Sequence, residues 1–286
     1  MEDDGPSRTA LATAYARAYH QIADRPRILT DPLGARLLGV TADELTESAR
    51  DRPDSHAEKY RRLFFAARAR FAEDRIAADT RQVVILGAGL DTFAYRNPHP
   101  DLRVFEVDHP ATQAWKQQRL AASGIDRPEL LTFVPVDFET DSLATELDSA
   151  GFSRTDPTVF VWLGVVYYLT PEAVRTTLEY VVGQSAPVEV IFDYIQQAVT
   201  DEDRAYQQER ARKVAALGEP FFSYFTPDDL AAQLHTLGFT RVEDHSGIDL
   251  ITGYLDGSTE LEGKPPQVLR ANHILRASRG RSPQVR

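Results

Sequence analysis

Five short apolar runs constrain most strongly what this chain can fold into: Val83–Leu86, Val104–Val107, Phe133–Val136, Val159–Leu163 and Val188–Ile191. Each is rich in β-branched residues, as strands buried on both faces of a parallel sheet are. Helical stretches follow several of them, over residues 111–122, 141–150 and 171–184. Strand alternating with helix implies a doubly wound, mostly parallel α/β sheet. The pattern then reads helix 203–217, an aromatic loop, helix 227–237, and strands near 240–245 and 273–277. Those last two strands are expected to end the sheet as an antiparallel pair.

The region before the first run is helical. Leu11, Tyr15, Tyr19 and Ile22 recur at helical spacing, which predicts an amphipathic helix over 8–22. Asp31-Pro32 is expected to open a second short helix. Residues 40–57 are polar and contain Pro53, the signature of a helix end and a linker. Tyr60, Leu63, Phe64, Phe71 and Ile76 then mark a long amphipathic helix. The expected organisation is a disordered start over 1–7, a helical cap over 8–78, a ligand-binding α/β domain over 79–278 and a flexible tail over 279–286.

Composition excludes several chemistries. The 286 residues include no cysteine, so disulfides, thiolate metal sites and a cysteine nucleophile are ruled out. Zero cysteine fits a cytoplasmic protein. The start, Met1-Glu2-Asp3-Asp4, lacks the basic residues and apolar core of a signal peptide. No stretch approaches the ~20 apolar residues of a membrane span, so no membrane partner is expected. Net charge is −11, and the densest basic stretch, Arg61 to Arg75, is broken by Glu73 and Asp74. That argues against a nucleic-acid partner, which a basic stripe would serve. The seven histidines are scattered without metal-ligand spacing, so no metal is expected.

The strongest local signal is Val83-Val84-Ile85-Leu86-Gly87-Ala88-Gly89-Leu90-Asp91-Thr92, an apolar strand entering a Gly-x-Gly turn. Glycine permits a tight turn and close approach of backbone to ligand. Asp108 follows Gly87 by 21 residues, at the end of the next strand. A carboxylate there can accept hydrogen bonds from both ribose hydroxyls of an adenosine. NAD-binding and S-adenosylmethionine (SAM)-binding chains share this pair of features. The dinucleotide pattern's third glycine, which serves a pyrophosphate, is replaced by Thr92. SAM has no pyrophosphate. An ordinary strand-turn is the plain alternative.

Other residues point the same way. Asp137 ends the third strand, where it can take the adenine amino group while Phe138 lies against the base. A helix-capping aspartate is the alternative reading. Arg68 sits within an apolar stripe, between Phe64 and Phe71, and a buried arginine needs an anion. The SAM carboxylate would serve, and so would an internal salt bridge. On the fourth strand Trp162, Tyr167 and Tyr168 are candidate walls of a substrate pocket, followed by Thr170-Pro171 as the cap and first residue of a helix. Phe222 and Tyr224 belong to an aromatic loop suited to a lid over an acceptor. No residue is assigned as catalytic; His20, His109 and Tyr167 are the candidate bases that a hydroxyl acceptor would require.

Three strings carry a family resemblance: Gly87-Ala88-Gly89-Leu90-Asp91-Thr92 with Ala94-Tyr95-Arg96, then Phe105-Glu106-Val107-Asp108, then Val134-Pro135-Val136-Asp137. Together they resemble the leucine carboxyl methyltransferase family, in its bacterial SAM-dependent branch, over roughly residues 8–278. The resemblance implies a Rossmann-like class I SAM methyltransferase fold with an N-terminal helical cap. It implies SAM contacts from Gly87, Ala88, Gly89, Asp108, Asp137 and Phe138, with Arg68 holding the SAM carboxylate. Arg17 and Tyr19 fall on the N-terminal helix, where Arg17 aligns loosely with a basic residue of the family and Tyr19 is a candidate for the substrate pocket.

One departure bears on the acceptor. Family members that methylate a protein C-terminus carry a glutamate on strand 4, at the position of Leu163. Its loss makes the cofactor site more apolar and points away from methylating a phosphatase C-terminal leucine. The implied reaction is O-methylation of a carboxylate or hydroxyl on a small molecule in secondary metabolism, by a monomer or homodimer. Two alternatives stay open here: an NAD(P)-dependent oxidoreductase, and a repurposed methyltransferase fold that transfers no methyl group.

Overall fold

The computed structural model describes residues 7–51, 55–138, 140–255 and 266–280. The chain divides into two compact units, Met1–Ser153 and Arg154–Arg286.

The first unit opens with four helices: α1 (Arg8–Ala23), α2 (Gly34–Leu38), α3 (Ala42–Asp51) and α4 (His56–Asp74). Ser7 caps α1, its hydroxyl accepting the Ala10 N–H at 3.0 Å. Ser55 and Glu58 form a reciprocal capping box on α4. The Asp31 carboxylate accepts the N–H groups of Leu33 and Gly34, each at 3.1 Å, so α2 starts at Gly34. The linker expected over 40–57 is corrected. Helix α3 runs through it, with Leu45 only 6% exposed and the polar side chains turned outward. Pro53 lies outside the described residues.

Helix α1 packs against α2, α3 and α4. Ala14, Ala18, Leu37, Leu38 and Leu45 share one apolar cluster with Leu90, from the glycine turn, and Leu120. Three parallel strands follow in the order β3-β2-β1: β1 (Gln82–Leu86), β2 (Arg103–Asp108) and β3 (Leu131–Pro135). Every residue of β1 is buried, as a strand covered on both faces must be. Helices α5 (Pro110–Ala122) and α6 (Leu143–Ser149) complete this unit.

The second unit holds β4 (Thr158–Trp162), α7 (Pro171–Val182), β5 (Val188–Ile195), α8 (Asp201–Ala215), α9 (Pro227–Leu237), β6 (Arg241–Ser246), α10 (Gly247–Tyr254), α11 (Gln267–Ala271) and β7 (Asn272–Arg279). Its strands run β4-β5-β7-β6. Strand β4 is parallel to β5, and β7 is antiparallel to both β5 and β6. Thr170 accepts the Ala173 N–H at 3.2 Å and Pro171 opens α7. Helix α8 begins two residues before the expected 203 because Thr200 and Asp203 cap it reciprocally. Helices α10 and α11, between the last two strands, are additions to the sequence reading; they are short, and α10 contains two glycines. At the ends, Ser7 caps a helix and Arg279 closes β7, while residues 1–6 and 281–286 lie outside the described residues.

Parallel strands in the first unit, then a parallel pair and an antiparallel pair in the second, make this the class I SAM methyltransferase fold expected from the sequence. Among the described residues, no helix is long and apolar enough to cross a membrane.

Candidate functional site

The glycine turn is stitched to the strand beside β1. Gly87 and Ala88 both donate their N–H to the Val107 carbonyl, at 2.8 and 3.0 Å. Gly87 has φ +66° and Gly89 φ +47°, a region that a Cβ disfavours. Space above the turn is open: a Cβ added to Gly89 would meet nothing nearer than Ala10 Cβ at 3.8 Å.

Asp108 ends β2 at this turn. One carboxylate oxygen accepts the Gly89 N–H and the other accepts the His109 N–H at 2.7 Å. Burial pushes its carboxyl above the ordinary range, while those two N–H donors pull it back. Each oxygen keeps a further lone pair, so the group suits a ligand presenting paired hydroxyls. Strand register sets Asp108 opposite Pro135, and the Val136 N–H reaches the Asp108 carbonyl at 2.9 Å. Asp137 and the part-exposed Phe138 therefore follow directly at the neighbouring strand end.

A web of buried charge braces the turn from below. Arg17, 7% exposed, donates to the Leu90 carbonyl at 2.9 Å and to Asp91 Oδ2 at 3.2 Å. Burial raises the Asp91 carboxyl, but Arg17, Arg96 and Lys116 outweigh it and hold the group below its usual range. Arg96 makes a forked contact with Glu73 and donates from Nε to Thr92 Oγ1 at 3.1 Å. Thr92, standing where a dinucleotide fold has glycine, thus serves as an internal acceptor. Beside it Lys116 and Glu106 form a 2.6 Å ion pair, each side chain 1% exposed. Burial pushes the Glu106 carboxyl up to about 7 against the pull of Lys116. Asp31 joins the web 3.9 Å from Arg17 and 3.8 Å from Arg96. Sequence reading missed Asp31, Glu73, Asp91, Arg96 and Glu106 as braces, since single charged residues carry no periodic signal.

Arg68 is 5% exposed in α4, with its guanidinium 4.6 Å from the Phe65 ring centre. Nearby in sequence, Arg62 is also buried and makes a forked ion pair with Asp24, at 2.8 and 2.9 Å. Its guanidinium lies 4.8 Å from the Tyr19 ring, so Tyr19 covers that pair. His20 has no exposed surface. Its Nε2 accepts the N–H groups of Ile28 and Leu29 at 3.1 and 3.3 Å, which leaves Nδ1 to donate to Asp24 at 2.8 Å. The ring nitrogen that a base needs is already occupied. His109 is exposed, and its Nδ1 accepts the Ala111 N–H at 3.3 Å as the cap of α5.

The second unit carries the remaining residues. Trp162, expected at a pocket wall, is wholly buried and packs edge-on against Phe192. Leu163 follows β4 and precedes Gly164, whose N–H donates to the buried Asp193 at 2.6 Å. Tyr167 and Tyr168 sit in a single 3-10 turn with ring centres 4.8 Å apart. Phe221 packs 5.2 Å from Tyr167, and Tyr224 lies 6.5 Å beyond Phe221. The aromatic loop is pinned there: the Phe222 N–H donates to the Tyr167 carbonyl at 2.8 Å, and Ser223 Oγ to that of Val166 at 2.9 Å. Phe222 itself is 55% exposed. Among the described residues, no three His, Asp or Glu side chains are grouped to hold a metal ion.

A family model described as leucine carboxyl methyltransferase matches residues 10–182. The chain is 32% identical over 279 residues to YktD of Bacillus subtilis (strain 168), named as a candidate S-adenosyl-L-methionine-dependent methyltransferase; the match spans 87% of this chain and 91% of that one. A protein of the same description from Mycolicibacterium gilvum (strain PYR-GCK) is 34% identical over 251 residues, 83% of this chain and 79% of its own. Among solved structures, a DUF574-family protein of Streptomyces avermitilis matches with a TM-score of 0.55 at 16% identity, over 95% of this chain and 97% of that one. That last likeness speaks for the fold alone. Family match and near-full-length relatives agree with the glycine turn and its carboxylate: the chain belongs to the leucine carboxyl methyltransferase family and is a SAM-dependent methyltransferase.

Proposed function

We propose that this methyltransferase O-methylates a carboxylate or hydroxyl of a small molecule, in secondary metabolism and in the cytoplasm. The reading rests on Leu163, an apolar residue at the position where the family resemblance implies a glutamate in members acting on a protein C-terminus. In this reading Asp108 holds the ribose hydroxyls against the Gly87–Gly89 backbone. Asp137 and Phe138 bind the adenine, and Arg68 pairs with the SAM carboxylate. Arg17 acts on the cofactor through the turn that it grips.

Bound SAM supplies an electrophilic methyl group. An acceptor oxygen aligned by the protein would take that methyl carbon with its own lone pair, the carbon–sulfur pair staying with sulfur in the departing S-adenosylhomocysteine. A carboxylate acceptor arrives already ionised and needs no base. A hydroxyl acceptor gives its proton to His109, Tyr167 or water. The protein's main work is to align the two reactants and exclude solvent.

The test is incubation of the protein with SAM and a panel of carboxylic acids, phenols and leucine-ended peptides, with S-adenosylhomocysteine and methylated product read by mass spectrometry. Methyl esters or ethers of small molecules are expected. Product formed from the peptides alone would overturn the assignment.

A further inference from the structure

The second unit contains a cavity of about 210 Å³ at the carboxyl end of β5. In open α/β sheets that end of the strands is where ligands bind. The end of α11 borders the cavity, because register sets Ile195 opposite Asn272, the first residue of β7, and brings Arg270 and Ala271 of α11 to its edge.

Helix α8 supplies one wall in a telling way. Asp203, Tyr206, Gln207 and Arg210 all line the cavity. Their spacing, i, i+3, i+4 and i+7, puts them on one helical face. On a helix packed against a core that stripe would be apolar. Here it is polar and aromatic, and no residue of α8 is fully buried. Phe221 and Tyr224 add ring faces to the lining. A cavity of ~150 Å³ accommodates benzene, so this one has room for a planar aromatic body.

The charges within it are unequal. Arg270 lies 3.6 Å from Asp203 and 3.8 Å from Glu202. Arg210 has no acidic partner of that kind among the described residues. Its Nη1 donates to the neutral amide oxygen of Asn272 at 3.0 Å, and its guanidinium stands 5.3 Å from the Phe221 ring centre. One cation in a partly buried, ring-lined cavity therefore lacks a counter-charge.

We infer that this cavity binds a planar aromatic molecule bearing an anionic group, with Arg210 pairing to the anion and Phe221 and Tyr224 against the ring. The inference rests on the methyltransferase reading for the ligand's role as acceptor, and it names the acceptor's chemical class. Arg210 is then the residue that selects charged acceptors over neutral ones of equal shape.

Calorimetric titration of the full-length protein with 2-naphthoate, with naphthalene-2-methanol and with SAM separates the two readings. Naphthoate is expected to bind about tenfold or more tightly than the alcohol, the scale of a charge-assisted hydrogen bond. Arg210→Met should remove that preference, Arg210→Lys should keep part of it, and both should bind SAM as the parent does. Equal binding of the two naphthalenes, no binding of either, or a preference that survives Arg210→Met would overturn the inference. Failure to bind SAM with the naphthoate preference intact would instead overturn the methyltransferase reading and leave the pocket standing.

Discussion

The two units build their ligand-facing surfaces from different materials. In the first, the glycine turn rests on charge: Arg17, Asp91, Arg96, Glu73 and the Glu106–Lys116 pair are locked together below it. In the second, the cavity is walled by Phe221, Tyr224 and one face of α8, with Arg210 as an unmatched cation. Buried ion pairs demand fixed partners, since breaking one strands the other's charge. Aromatic walls tolerate change, because their burial is non-directional. A surface that must hold one fixed ligand suits the first construction, and one that can accept varied ligands suits the second.

Breaking a second buried ion pair of the first unit, between Asp24 and Arg62, is the severest test of that contrast. Asp24→Ala leaves Arg62 buried without its forked partner and frees His20 Nδ1. A stability loss of roughly 3–5 kcal/mol is expected in chemical denaturation. A loss below ~1 kcal/mol would show that the first unit is less dependent on its charges than its geometry implies.

Next in size are Asp108→Ala and Arg68→Ala. Each should weaken SAM binding by about tenfold or more in calorimetry, as loss of a charge-assisted hydrogen bond does. Unchanged affinity in both variants would remove the donor assignment from the first unit.

A pH series sharpens the same point. Burial pushes the Asp24 carboxyl up, yet hydrogen bonds from Arg62 and His20 outweigh it and hold the group at about 2, below its ordinary value of 3.8. A depressed carboxyl contributes stability that is complete above its unfolded value and is lost as the pH falls through the folded one. Stability should therefore drop between about pH 4 and pH 2. Relative to the parent, Asp24→Asn should flatten this limb by roughly 1–2 kcal/mol once solvent screening is allowed for. An identical acid limb in both proteins would place the titrating groups elsewhere.

The smallest effect belongs to the second unit. Phe222 is 55% exposed, and its anchoring hydrogen bond comes from the backbone. Phe222→Ala should leave stability within ~0.5 kcal/mol, whereas a loss of several would mean that the aromatic loop carries structural load.

Legibility in the sequence followed the same divide. The alternation of strand and helix, the Gly87–Gly89 turn, Asp108 and the apolar stripe around Arg68 are local patterns, and each can be read from neighbours in the chain. The web under the turn is not local. Arg17 meets residues 73 and 74 positions away, and Arg96 meets Glu73 across 23. His20 looked like a base because chemistry-bearing type is visible in sequence, while the two backbone N–H groups that occupy it are not. The cavity was hidden for a related reason. Its lining comes from the end of β5 and the residues after it, α8, the aromatic loop and the end of α11, and the polar stripe of α8 reads in isolation as an ordinary solvated face.

The grip of Arg17 on Leu90 and Asp91 has a thermodynamic corollary. Helix α1 and the glycine turn are parts of one cooperative piece, with Ala14, Ala18 and Leu90 in a shared apolar cluster. Linkage is reciprocal: a ligand that favours the ordered turn must suppress local opening of α1 by the same free energy with which a closed α1 favours the ligand. The first helix is then a gauge of cofactor occupancy, and its amide exchange should slow wherever SAM is bound.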